Sequence, residues 1–290
     1  MPSLKEVRNR IVSVGSTMQI TSAMKMVSAA KLKRAQDAVT QMRPYANKLK
    51  EILENVSGNS DNNENVYSSS RTGKNTLIIA LSSNRGLAGA FNSNIIKRVN
   101  SLIKNELNGH TITVLPVGKK VNDAFRKTSY IVNGSDMPHN GNHLYDKLTF
   151  EAASAVMQQV MDAYKNNQFD KVILVYNQFK NAAVQSTIEE TMLPIQPGNA
   201  EQKIADYIFE PSEAEILNNL IPLSLKTQFY KALLDSVASE HGARMTAMHK
   251  ATDNAMAMQK ELKITYNKAR QASITKEILE IVGGAEALKN

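Results

Sequence analysis

A seam of residues spaced alternately four and three apart opens this chain and runs unbroken for about seven heptads. It starts Leu4, Val7, Ile11, Val14, Met18 and resumes as Leu32, Ala35, Val39, Met42, Ala46, Leu49, Leu53, Val56. The three positions between are consecutive and polar: Thr21, Lys25 and Ser28. A seam kept that long winds a helix around a partner helix. Pro44 opposes it, because an interior proline removes a hydrogen bond at a cost of roughly 3 kcal/mol. The seam stays in register beyond it, so the spacing predicts one helix kinked near Arg43 and ending at Ser57-Gly58-Asn59.

The other end carries the only match in length. From Leu223 to Leu288 there is no proline, and Gly242, Gly283 and Gly284 are the only glycines. About 66 residues of helix would run roughly 100 Å, against about 40–50 Å for a compact domain of this size. Its predicted seam passes through Leu234, Val237, Met248, Ala251, Ala255, Met258, Leu262, Ala269, Ala272 and Leu279, interrupted by His241 and Arg244. The expectation is a long antiparallel two-helix coiled coil from the N- and C-termini. The stretch from about Glu261 to Glu280 should then reach the start of the first helix or pass beyond it.

Between the helices the period changes. Thr76–Leu81, Thr111–Val117 and Val172–Tyr176 read as strands, and Ala183–Met192 alternates as an edge strand. Helical stretches at Ala90–Leu107, about 121–127 and Tyr145–Asn166 separate the first three. Alternating strands and helices predict an inserted Rossmann-like α/β layered domain with a hairpin on its edge. The expected division is 1–57 for the first helix, 58–75 for a polar linker, 76–210 for the α/β domain, and 211–290 for the C-terminal helical region. Pro194, Pro197, Pro211 and Pro222 read as punctuation before the last helix.

Composition excludes more than it selects. No cysteine is present, so disulfides and thiolate metal sites are impossible. No apolar run approaches the roughly 18–20 residues of a membrane span, and Met1–Arg10 is too charged for a signal peptide. The net charge is +8, and all of the excess lies at the ends: 10 basic against 4 acidic residues in 1–56, 10 against 7 in 222–290. Ser82-Ser83-Asn84-Arg85-Gly86-Leu87-Ala88-Gly89 occupies the place of a phosphate loop but lacks the spacing of one, and reads as a tight strand-to-helix turn. Neither Thr72-Gly73-Lys74 nor Gly118-Lys119-Lys120 completes a P-loop. The histidines lack metal-ligand spacing, and no nucleophile or paired-carboxylate arrangement stands out. The basic residues of the two helices suit an axle in an acidic or apolar bearing, a coiled-coil adaptor, or a nucleic-acid binder.

Three motifs carry a resemblance. Ile20-Thr21-Ser22-Ala23-Met24-Lys25-Met26-Val27-Ser28-Ala29-Ala30-Lys31, Ser83–Asn92 and the C-terminal runs Glu240–Met248, Ala251–Ala255 and Tyr266–Glu277 resemble those of ATP synthase gamma subunits. Asn84 and Ala88 depart from the acidic residue and cysteine usual there. The resemblance implies a non-catalytic rotor of the F-type central stalk that couples ion flow through the membrane ring to ATP synthesis or hydrolysis at the beta subunits. It implies alpha and beta subunits of the catalytic hexamer, an epsilon subunit and a c-subunit ring as partners. It implies no cofactor, no metal, no nucleic acid and no direct membrane insertion. A start almost directly at the first helix favours the cytoplasmic face of a bacterial inner membrane. By position, Arg270, Gln271 and Thr275 match residues that hydrogen-bond a beta-subunit loop, and Arg244 and Glu280 match others implicated in coupling. Met24 matches a site where a lysine impairs coupling; Lys25 sits beside it on a different helix face. A coiled-coil adaptor or nucleic-acid binder using the basic helices, or a nucleotide-dependent enzyme, are the alternatives.

Overall fold

A computed structural model describes residues 3–59, 66–69, 71, 73–132, 137–195 and 213–287. In chain order the elements are α1 (Leu4–Asn59), β1 (Asn75–Leu81), α2 (Phe91–Ser101), a π-helical turn (Leu102–Glu106) and β2 (Thr111–Val117). Then come α3 (Lys119–Phe125), a 3-10 turn (Asn142–Tyr145), α4 (Phe150–Lys165), β3 (Lys171–Phe179), β4 (Gln185–Leu193) and α5 (Glu213–Ala287). Long terminal helices thus flank a central sheet domain. Residues 60–65 of the expected linker, 133–136 of the polar loop before α4, and 196–212 with Pro197 and Pro211 lie outside the described residues. The chain divides into two compact units: Met1–Ser28 with Met245–Asn290, and Ala29–Arg244.

In the unit Ala29–Arg244 the strand order is β2-β1-β3-β4. β1 pairs in parallel with β2 and β3, and β4 closes the edge antiparallel to β3. Both faces are covered, which is why the inner strands read as continuous apolar runs. Leu77, Ile79 and Leu81 face a core with α4 and the first turns of α5; Ile78 and Ala80 face a second core with α2 and α3. Successive residues alternate between the cores because the side-chain period of a strand is two.

Two boundaries differ from the sequence reading. α5 begins at Glu213 and runs through Pro222 rather than starting after it. Leu217, Ile221, Leu225 and Phe229 are buried on that stretch, four residues apart. Burying each is worth about 1.5–3 kcal/mol, which together outweighs the roughly 3 kcal/mol that the proline costs. The stretch expected as one helix over 90–107 ends in the π-helical turn, where the Leu107 amide donates to Leu102 O at 2.9 Å. Closing the wider ring keeps Leu102 and Leu107 on the same buried side.

In the unit Met1–Ser28 with Met245–Asn290, the first and last helices pair antiparallel. Thr21 lies opposite Thr252, and Gly15 opposite Gln259. Every position of the α1 seam from Leu4 to Leu53 is buried or half-buried. The predicted α5 seam needs correction. Met248, Ala255, Leu262 and Ala269 face inward as expected, but the alternate positions are Thr252, Gln259, Tyr266 and Ser273. Met258, Ala272 and Leu279 are exposed. Met258 and Ala272 stand one residue before the seam positions Gln259 and Ser273, because polar side chains occupy the seam itself, and Leu279 lies beyond its end.

Candidate functional site

The residues matched to partner contacts fall into three settings. Arg270, Gln271, Thr275 and Glu280 are all exposed on α5. Gln271 and Thr275 lie one helical turn apart, each two residues past the seam positions Ala269 and Ser273. At about 100° per residue they face away from the seam. The Thr275 hydroxyl donates back to Gln271 O at 2.9 Å. Lys276 Nζ stands 3.6 Å from Glu280 Oε1, an exposed pair worth little in stability. From 274 to 285 every residue is exposed, including Ile274, Ile278, Leu279, Ile281 and Val282. From Gly15 opposite Gln259, the eleven residues back to Leu4 carry the pairing forward to about residue 270. Glu261 to about 270 therefore lies beside the start of α1, and the helix continues beyond.

Lys25 belongs to the polar part of the α1 seam and Met24 precedes it, both half-buried. Thr21 Oγ1 and Thr252 Oγ1 are 2.9 Å apart. The same hydroxyls lie 3.1 Å from Met18 O and 2.8 Å from Met248 O. Two hydroxyl protons are shared among three contacts, and each hydroxyl oxygen has the other as a partner. Ser28 Oγ donates to Met24 O at 2.7 Å.

Arg244 belongs to the other unit and is buried. Its Nη1 pairs with Glu240 Oε1 at 2.6 Å, and its Nη2 lies 3.4 and 3.3 Å from the carbonyls of Arg85 and Gly86. Burial raises the Glu240 carboxyl, opposed by Arg244 and more weakly by Lys31 and Arg85. Burial, with the charges of Arg244 and Lys31, pushes His241 down to about 4, so the imidazole beside Arg244 is neutral at physiological pH. Arg244 is therefore buried within its own unit, whereas Arg270, Gln271, Thr275 and Glu280 are exposed in theirs.

The turn that Arg244 touches follows β1, where a nucleotide would lie in a doubly wound sheet. Its polarity is opposite to that of a phosphate cradle. Carbonyls, not amides, aim at the arginine, and the Ser83 amide is taken by Asn92 Oδ1 at 3.0 Å. Asn84, unassigned from sequence, is the staple of this region. Its Nδ2 donates to Asn142 O and its Oδ1 accepts from the Lys119 amide, both at 3.0 Å. An aspartate there would lack the donor, so both halves of the amide are used. Motif reading missed Asn84 because its partners lie 35 and 58 residues away. Among the described residues no cluster of His, Cys, Asp or Glu could hold a metal ion, and no helix is long and apolar enough to cross a membrane.

The family model described as ATP synthase matches residues 3–288. The ATP synthase gamma chain of Christiangramia forsetii is 57% identical over 290 residues, covering 99% of each chain. The chain belongs to the ATP synthase gamma family. The gamma chain of Flavobacterium johnsoniae is 55% identical, again over 99% of each chain. Among solved structures, the central stalk and c-ring of the Tetrahymena thermophila mitochondrial ATP synthase matches at 28% identity with a TM-score of 0.60. That match covers 80% of this chain and 99% of the other. A chain of the Euglena gracilis mitochondrial ATP synthase shares the fold at 20% identity and a TM-score of 0.64, covering 98% and 94%. Membership gives the chain the role of a rotor subunit of an F-type ATP synthase.

Proposed function

We propose that this chain is the non-catalytic axle of its complex, turning within a hexamer of alpha and beta subunits and seated on an epsilon subunit and a c-subunit ring. Its place is peripheral, on the cytoplasmic face of a bacterial inner membrane. One observation carries the reading. α5 continues past its last seam residue with Ile274, Ile278, Leu279, Ile281 and Val282 48–71% exposed. Apolar surface that a chain leaves uncovered in a continuous stretch marks a contact with another molecule. Arg270, Gln271, Thr275 and Glu280 stand on or next to that stretch and supply polar contacts that form and break at low cost in a turning bearing.

Co-expression with alpha and beta chains tests the assignment: a stable assembly whose ATPase activity depends on this chain is expected. The bearing is tested by Arg270→Ala combined with Gln271→Ala in vesicles carrying the whole complex. ATP synthesis and ATP-driven proton pumping should fall several-fold, roughly 0.5–1.5 kcal/mol for each hydrogen bond lost. Unchanged rates would remove these two residues from the coupling contact.

A further inference from the structure

Pro222 stands inside α5, where an alanine would be less costly, and a cavity opens beside it. A proline has no N–H, so the carbonyl of Asn218, one turn earlier, loses the donor that a carbonyl within a helix ordinarily receives. Asn218, Pro222, Lys226 and Tyr230 follow at intervals of four and so share one side of α5. Facing them is the start of α4, where Phe150 and Ser154 are likewise one turn apart. Between the two helices lies a cavity of about 340 Å³, whose lining includes Phe150, Ser154, Asn218, Pro222, Leu223 and Lys226. Pockets that hold small molecules measure roughly 300–1,000 Å³.

The polar groups around this cavity are unmatched within the chain. Ser154 Oγ is closed to solvent and has no hydrogen-bond partner among the described residues. Lys226 has no ion pair among them. The rest of the wall is apolar and fixed: Tyr230 packs edge-on to the Phe150 ring with centroids 5.7 Å apart, and Leu223 is 36% exposed next to Pro222. An ammonium attracts an anion, and as a compact point charge it suits phosphate. The Asn218 carbonyl needs a donor, and the Phe150–Leu223 wall suits carbon. We propose that this cavity is a binding site for a phosphate ester of a small polyol, the chemistry of glycerol phosphate. The phosphate lies on Lys226, a free hydroxyl of the ester donates to Asn218 O, and the carbon chain rests on Phe150 and Leu223. A change of χ1 rotamer brings the Ser154 hydroxyl to the phosphate. A free ester and the phosphoglycerol headgroup of a lipid present the same groups.

The test titrates glycerol phosphate into the full chain by calorimetry, with inorganic phosphate in parallel. One saturable site is expected for the ester, and weaker binding of phosphate alone. Lys226→Ala should weaken the ester about tenfold, as the loss of a charge-assisted contact does. Lys127→Ala removes the same charge from an exposed turn after α3 and should change nothing. Pro222→Ala returns an N–H to the Asn218 carbonyl, so affinity should fall several-fold while the melting temperature holds or rises; that separates the site from the fold. Vesicles of phosphatidylglycerol, against phosphatidylcholine, identify the source. Retention on phosphatidylglycerol that Lys226→Ala and Pro222→Ala lower, and Lys127→Ala does not, assigns the lipid headgroup. Binding of the soluble ester with vesicle retention alike in all three variants assigns the free ester. The proposal is overturned if neither probe binds saturably, if Lys127→Ala loses as much as Lys226→Ala, or if Pro222→Ala keeps full affinity.

Discussion

Arg43 and Asp235 show how this chain handles a buried charge. The Asp235 side chain is fully buried, and its Oδ1 accepts from Arg43 Nη2 at 3.2 Å. The same nitrogen donates to Phe179 O at 3.1 Å, so one arginine ties α1, the end of β3 and α5 together. Burial raises the Asp235 carboxyl, and Arg43 is the main group opposing it. The guanidinium is 44% exposed, so solvent screens part of the pair. Arg43→Met should cost about 2 kcal/mol at pH 8, with the loss read from denaturant unfolding. The sign of its pH dependence follows from the raised carboxyl. A carboxyl raised in the folded state binds its proton more tightly there, so stability is lost as pH rises through the folded value. Removing Arg43 moves that value higher still. The gap between variant and parent should therefore narrow as pH falls and Asp235 takes up a proton, and widen as pH rises. A gap that stayed constant with pH would show that the arginine acts by packing alone. Adding Asp235→Asn to Arg43→Met should recover part of the loss, since it removes the unpaired charge.

Two glycines with positive φ separate backbone conformation from space among the loops. Gly109 (φ 82°) has nothing within 4 Å of where a Cβ would stand; at Gly118 (φ 111°) that atom would lie 2.3 Å from Ser82 O and 2.6 Å from Ser82 C. Ser82 is held in place, its amide on Val117 O at 2.7 Å and its hydroxyl accepting from the Val121 amide at 3.0 Å. Gly109→Ala should cost only the left-handed strain, about 1 kcal/mol. Gly118→Ala must push the ends of β1 and β2 apart and should cost more than about 3 kcal/mol in thermal unfolding. Equal losses would mean that the loop after β1 yields. The same contrast explains what was legible in the sequence. Strand runs, the α1 seam and the edge hairpin showed in local periodicity, because each is set by burial of residues a few positions apart. The start of α5 did not, because a proline reads as a stop until Leu217, Ile221, Leu225 and Phe229 find a core built by other elements. The polar half of the α5 seam was hidden because Thr252 and Gln259 face a partner helix that apolar matching passes over. Among the candidate residues, position in a motif singled out Arg244, but that it is buried against Glu240 and the Arg85–Gly86 carbonyls depends on contacts about 160 residues apart.

At the scale of the whole molecule the question is which surface serves the chain's own stability and which serves its partners. The basic excess at the two ends and the polar seam positions both make apolar adhesion sparse along the terminal helices. A rotor needs that, since an extensive dry contact in one orientation would hold it there. The end of α5 isolates the second kind of surface, because from 274 to 285 all residues are exposed and the seam has already ended at Ser273. A chain stopped after Ser273 loses Thr275, Glu280 and the exposed Ile274, Ile278, Leu279, Ile281 and Val282, but no described residue of either core. Its melting temperature, measured by circular dichroism on the isolated chain, should stay within about 2 °C of the full-length value. In the reconstituted complex, protons pumped per ATP hydrolysed should fall several-fold. A drop in melting temperature beyond about 5 °C would show that the segment packs on its own chain. Unimpaired pumping would show that the bearing contacts lie before Ser273, leaving Arg270 and Gln271 to carry them.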